Sequence, residues 1–244
     1  MHLPVLLTAL LACTVAHAGD DTHVFMAGGE INYVGPVSGE ANQKVLALLN
    51  SEASKPTVLL IRSPGGPTGP GIELGRLVHL RQLTVKVLDM CFSSCANYVF
   101  TAAPNKIVSN FAVVGYHGGL ASEDFQFAFD AEQERMFASL PEDQRGPARE
   151  AMIRQIKEGM RKDADLEQQF FKDIGVQQRI TSIGQSARYK ARYGKDAHTL
   201  GWTYSVAGFR KLGVEHIAII NGPWKPQFTA AGAKGMGVFM ADVN

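Results

Sequence analysis

Cys91-Phe92-Ser93-Ser94-Cys95-Ala96 is the stretch on which the fold turns. Ahead of it runs Thr84-Val85-Lys86-Val87-Leu88, which reads as a buried strand. Behind it, Ala96-Asn97-Tyr98-Val99-Phe100-Thr101-Ala102-Ala103 holds few breakers until Pro104 and reads as a buried helix. A strand that turns straight into a helix puts Ser94 at an exposed elbow, where first-turn N–H groups and the helix dipole favour a developing oxyanion. Upstream, Thr57-Val58-Leu59-Leu60-Ile61 reads as a buried parallel strand and runs into Ser63-Pro64-Gly65-Gly66. Glycine there permits both the sharp turn and the close approach of a substrate carbonyl. Downstream, Phe111-Ala112-Val113-Val114-Gly115 delivers His117, a base for a serine hydroxyl.

Each motif alone has an ordinary reading. A serine at a helix start is commonly an N-cap, a histidine after an apolar run is commonly structural, and Ser93 is an alternative to Ser94 as the reactive hydroxyl. It is the joint order that points to chemistry, with three strand ends carrying oxyanion donors, a nucleophile and a base.

In these residues the chain resembles the Clp protease proteolytic-subunit and crotonase superfamily, more closely its periplasmic serine-protease-like relatives. The likeness begins at Gly29-Glu30-Ile31-Asn32-Tyr33-Val34-Gly35-Pro36-Val37 with the helix-like 41–49. It continues through Ser63-Pro64-Gly65-Gly66 with a helix at 69–78, then Ser94 with Ala96, and His117. The resemblance implies an α/β fold of repeated ββα units around a mainly parallel sheet. It also implies Ser94 as nucleophile, His117 as base, and the N–H groups of Gly65, with Gly66, and Cys95 as oxyanion hole. In that family an acid lies just before a segment like Trp202-Thr203-Tyr204-Ser205-Val206, where this chain has Leu200 and Gly201. Asp196 is the nearest carboxylate and the candidate third member, with His198 another polar group. A Ser–His dyad oriented by a backbone carbonyl or water is the alternative.

The 244 residues, 45% hydrophobic, suffice for one substantial core. A formal charge of +1 offers no field for nucleic acid. Residues 3–15 are apolar and precede Ala16-His17-Ala18, so 1–18 reads as a signal peptide and the protein as exported, periplasmic or secreted. Leu10-Leu11-Ala12-Cys13 resembles a lipoprotein box, which makes an anchor at Cys13 the alternative. Cleavage at Ala18 leaves Cys91 and Cys95 around the elbow. In an oxidising compartment their disulfide would pin it, and two buried thiols are the other reading. Two cysteines without paired histidines do not make a zinc site, and neither metal nor cofactor is expected.

One main domain, 19–222, is expected, followed by a tail, 223–244, of little periodicity. Residues 122–175 are charged, with Met152, Ile156, Phe170 and Phe171 at helical spacing, and read as an inserted helical arm. Pro141 and Gly146-Pro147 are expected to break it. The arm is a lid, an oligomerisation element or the cover of a sheet edge, and the alternation Phe125-Gln126-Phe127-Ala128-Phe129 could be a peptide-binding strand. The function expected is an exported serine peptidase acting through an acyl-enzyme on peptides or proteins, self-associating, with no ATP-dependent unfoldase partner. A non-catalytic scaffold on the same fold is one alternative, and a thioester-acting crotonase-like enzyme another.

Overall fold

Aliphatic and β-branched runs build the centre of the protein. A computed structural model describes residues 22–51, 55–120, 129–189, 192, 198–229 and 235–243. The signal-peptide residues, Cys13, residues 125–128 and Asp196 lie outside the described residues. The hairpin β1 (His23–Ala27) and β2 (Glu30–Val34) turns through Gly28 and Gly29, both at positive φ. Then follow α1 (Gly39–Asn50), β3 (Val58–Arg62), α2 (Thr68–Leu80), β4 (Thr84–Val87) and β5 (Met90–Phe92). A π-helical segment, Cys95–Phe100, leads to β6 (Asn105–Ser109) and β7 (Val113–Gly115). The arm is α3 (Ala131–Ala138) and α4 (Glu142–Ile174), and the chain closes with β8 (Thr199–Thr203), α5 (Val206–Lys211), β9 (Ile217–Ile220) and β10 (Gly237–Met240).

The six-stranded sheet has the order β1-β2-β3-β4-β6-β9, parallel throughout except for β1 against β2. This is the mixed α/β architecture with a mainly parallel sheet that the apolar runs predict. Leu59, Ile61, Val85, Val87 and Val108 are fully buried in it. At about 0.8 kcal/mol per buried CH₂, such side chains supply the main driving force for the core.

A second set of strands carries the loops of interest. Ser63 bridges Cys91 in parallel, β5 pairs with β7 (Cys91 opposite Val114), and Tyr116 bridges Trp202 of β8 antiparallel. The strands leave the main sheet side by side, so the segments after Ser63, Phe92 and Gly115 emerge together. The run 84–88 predicts a strand that leads straight to the elbow. Instead β4 ends at Val87 and the three-residue β5 in the second sheet intervenes. Strand β6 follows Pro104 directly and is not among the apolar runs read as strands.

The segment 96–103 is helical through Ala102, as its composition predicts, yet Cys95–Phe100 is wound as a π-helix. Helix α2 lies tightly against it: a Cβ on Gly71 would come within 2.6 Å of the Tyr98 ring, and one on Gly75 within 2.7 Å of the Tyr98 carbonyl. In the arm, Pro141 separates two helices, but Pro147 sits inside α4. As the sixth residue of α4 it lies past the four N–H groups that lack a partner, so it forgoes one i→i−4 bond, to the carbonyl of Asp143. After Gly222 the described residues make contacts with the rest of the fold. Lys225 and Gln227 donate backbone N–H groups to the carbonyls of Asn110 and Phe111, and β10 pairs in parallel with β8. No helix among the described residues is long and apolar enough to cross a membrane.

Candidate active site

Ser93 sits where β5 ends, with φ +58, a left-handed conformation that costs a non-glycine residue on the order of 1–3 kcal/mol. Its neighbours hold it there. The Ser93 N–H donates to the Gly115 carbonyl at 2.9 Å, its carbonyl accepts from the Asn97 N–H at 2.8 Å, and a Cys91–Cys95 disulfide spans it. Of the two readings of this cysteine pair, the disulfide is the one present. Both sulfurs are fully buried.

The left-handed turn aims the hydroxyl. Ser93 Oγ lies 2.7 Å from His117 Nε2, within reach for transfer of a proton. Ser94, the expected nucleophile, faces elsewhere: it is helical at φ −56, buried, and donates its hydroxyl to the Gly66 carbonyl at 2.6 Å. The geometry thus differs from the expectation that places Ser94 beside the base, and the difference has a physical reason. Two adjacent residues with opposite φ present their side chains in different directions, and φ is not legible from Ser-Ser.

His117 follows β7 and stacks face to face on Phe92, the centroids 5.3 Å apart and the planes 6° from parallel. Phe228 meets Phe92 edge-on from the other end of the chain. The residue reaches solvent, yet the protein packed around the ring desolvates it and lowers its pKa below the usual 6.5. Desolvation therefore favours the neutral imidazole that a general base requires. The next residues are also fixed, as Asn97 Nδ2 donates to the Gly118 carbonyl at 2.8 Å.

The glycine turn completes the cluster. Gly65 has φ +98, and a Cβ on it would lie 2.6 Å from Ser93 Cβ and 2.9 Å from the Ser94 nitrogen. The turn is therefore laid directly on the elbow. Its two amides differ: the Gly65 N–H donates to Ser63 Oγ at 3.1 Å, while the Gly66 N–H has no hydrogen-bond partner among the described residues. The N–H groups of Ser94 and Cys95 open the helix, where no preceding turn supplies acceptors.

At Gly201 a Cβ would come within 2.0 Å of the Tyr116 carbonyl and 3.3 Å of His117 Cβ. Glycine is what lets β8 pass so close to the base. Among the described residues no group of three or more His, Cys, Asp or Glu is arranged to hold a metal ion.

Sequence reasoning missed Phe92 as the platform for His117 and Asn97 as the anchor of the following loop. It also missed Glu167, fully buried at the end of the arm. A signal for the last was present: Glu167, Phe170 and Phe171 stand at i, i+3 and i+4, on one helix face.

No protein-family profile matches the chain. No curated protein matches it either. Among solved structures, it is similar to a mutant of the 1510-N membrane-bound stomatin-specific protease, at 9% identity and a TM-score of 0.27. That match covers 44% of this chain and 57% of the other.

Proposed function

We propose that the protein is an exported serine hydrolase of the Clp protease and crotonase type, acting on peptide bonds with Ser93 as nucleophile. The observation that carries this is the 2.7 Å approach of Ser93 Oγ to His117 Nε2 at a positive-φ elbow. His117 Nε2 takes the hydroxyl proton as Oγ attacks the carbonyl carbon. The Ser94 N–H, adjacent to the nucleophile, receives the oxyanion in place of the expected Cys95 amide, joined by the Gly66 N–H rather than Gly65 of the two glycine amides expected. His117 then gives the proton to the leaving amine, and water, activated by the same histidine, releases the acyl group from Ser93. Asp196 remains the candidate to orient His117. The Cys91–Cys95 disulfide supports export to an oxidising compartment. The partners are peptides or unfolded protein segments and further copies of this chain.

A non-catalytic binding protein is the second reading, favoured by Gly201, which stands where the resemblance calls for an acid. Intact-mass analysis after treatment with a fluorophosphonate separates the two. One adduct is expected, retained in Ser94→Ala and lost in Ser93→Ala and His117→Ala. Retention in Ser93→Ala with loss in Ser94→Ala would return the role to Ser94, and no adduct on the wild type would favour the binding protein.

A further inference from the structure

The largest departure from a simple covering role lies at the end of α4, where a carboxylate is fully buried among hydrogen-bond donors from three other segments. Glu167 Oε1 accepts the Tyr98 hydroxyl at 2.7 Å and the Leu120 N–H at 3.4 Å. Glu167 Oε2 accepts Gln178 Nε2 at 2.7 Å. Tyr98 belongs to the helix that begins at the serine elbow, and Leu120 lies three residues beyond His117. The carboxylate therefore joins the nucleophile's helix to the base's loop, and it is the arm that supplies it.

The fit is tight. A Cβ on Gly119 would lie 2.9 Å from Glu167 Oε1 and 2.6 Å from Thr181 Oγ1, so the loop after His117 rests on the carboxylate with only glycine at the contact. Phe170 and Phe171, one turn further along α4, pack against Tyr98 with centroids 5.6 and 6.2 Å away. Burial and the neighbouring carboxylate both push the Tyr98 hydroxyl well above its usual pKa, so it remains a donor across the working range. A buried acceptor with fixed donors is costly to leave unpaired, which gives the arrangement one geometry.

We infer that Glu167 is a positioning residue through which the arm holds the 117–120 loop, and with it His117, in register with Ser93. The inference rests on the hydrolase reading for its consequence in activity, and on geometry alone for its consequence in the loop. Displacing the end of α4 removes the acceptor from Leu120 and Tyr98 together, so arm position and base position are one variable.

The test compares Glu167→Ala, Glu167→Gln and Tyr98→Phe with the wild type. Two quantities are read: the rate of fluorophosphonate labelling, and native-state hydrogen exchange at the Leu120 amide. Glu167→Ala is expected to label at least about tenfold more slowly and to exchange at Leu120 at least about tenfold faster. Glu167→Gln keeps an acceptor and, with a flipped Gln178 amide, is expected to recover both. Tyr98→Phe removes one bond without opening a cavity and should show a few-fold change in the same directions. Wild-type values of either quantity in a folded Glu167→Ala would overturn the inference. Should that variant fail to fold, wild-type values in Tyr98→Phe would overturn it. An unlabelled wild type would sink the hydrolase reading, while the Leu120 exchange would still decide the coupling.

Discussion

The serine elbow and the helical arm hold their shapes by opposite means. Around the elbow, Cys91, Cys95, Ala96, Val99 and Phe100 are fully buried, a disulfide closes the turn, and two glycines of α2 bring a second helix into close contact. Most of α4 before Glu167 is exposed or half-buried. The two arm helices are held to each other by Arg149 of α4, whose guanidinium lies over the Phe137 and Phe129 rings and pairs with Glu134 of α3. Only near its end does α4 enter the core, through Glu167, Phe170 and Phe171. A strained backbone needs surroundings that over-determine it, whereas a helix satisfies its own backbone and needs only a face to pack.

That contrast breaks most readily at the glycine turn. Gly65→Ala places a methyl 2.6 Å from the Phe92 carbonyl at a φ that alanine resists. We expect labelling of Ser93 to fall at least about a hundredfold, read as a second-order rate against probe concentration. Labelling at the wild-type rate would show that the elbow tolerates a displaced turn.

Removing the disulfide with Cys91→Ala and Cys95→Ala together should cost about 2 kcal/mol in the chain-entropy account of so short a loop. Thermal unfolding measures that loss. Labelling should slow as well, because Ser93 is freed to leave the left-handed region.

The pH dependence sharpens the site further. His117 is held below 6.5 by desolvation, and the base works when neutral. The labelling rate should be level above neutrality and fall as pH drops through a midpoint on the acid side of 6.5. A midpoint above 6.5 would mean that an acidic partner outweighs the desolvation.

The smallest effect is expected in the arm. Arg149→Ala should speed amide exchange in α3 and leave Ser93 labelling unchanged, since the Arg149–Glu134 pair is far along α4 from Glu167. A drop in labelling would show that the outer arm also bears on the site.

Much of this was legible in the residues. Runs such as 58–61 and 217–220 show their strand character as unbroken apolar composition, although only the first reaches full burial, at Leu59 and Ile61, and Gly65, at φ +98, marks a turn that side chains resist. His117 at a strand end was legible for the same local reason. Cys91 and Cys95, four positions apart, offered a pairing that the structure contains. The sequence by itself therefore determined the parallel α/β core, the three motif-bearing strand ends and the arm, because these follow from periodicity and from what glycine and cysteine alone can do. Only the tertiary structure set Ser93 rather than Ser94 against His117, wound Cys95–Phe100 as a π-helix, and set Glu167 between Tyr98 and Leu120. Those outcomes depend on the sign of one dihedral and on contacts between segments far apart in the chain, and neither quantity is written in local composition.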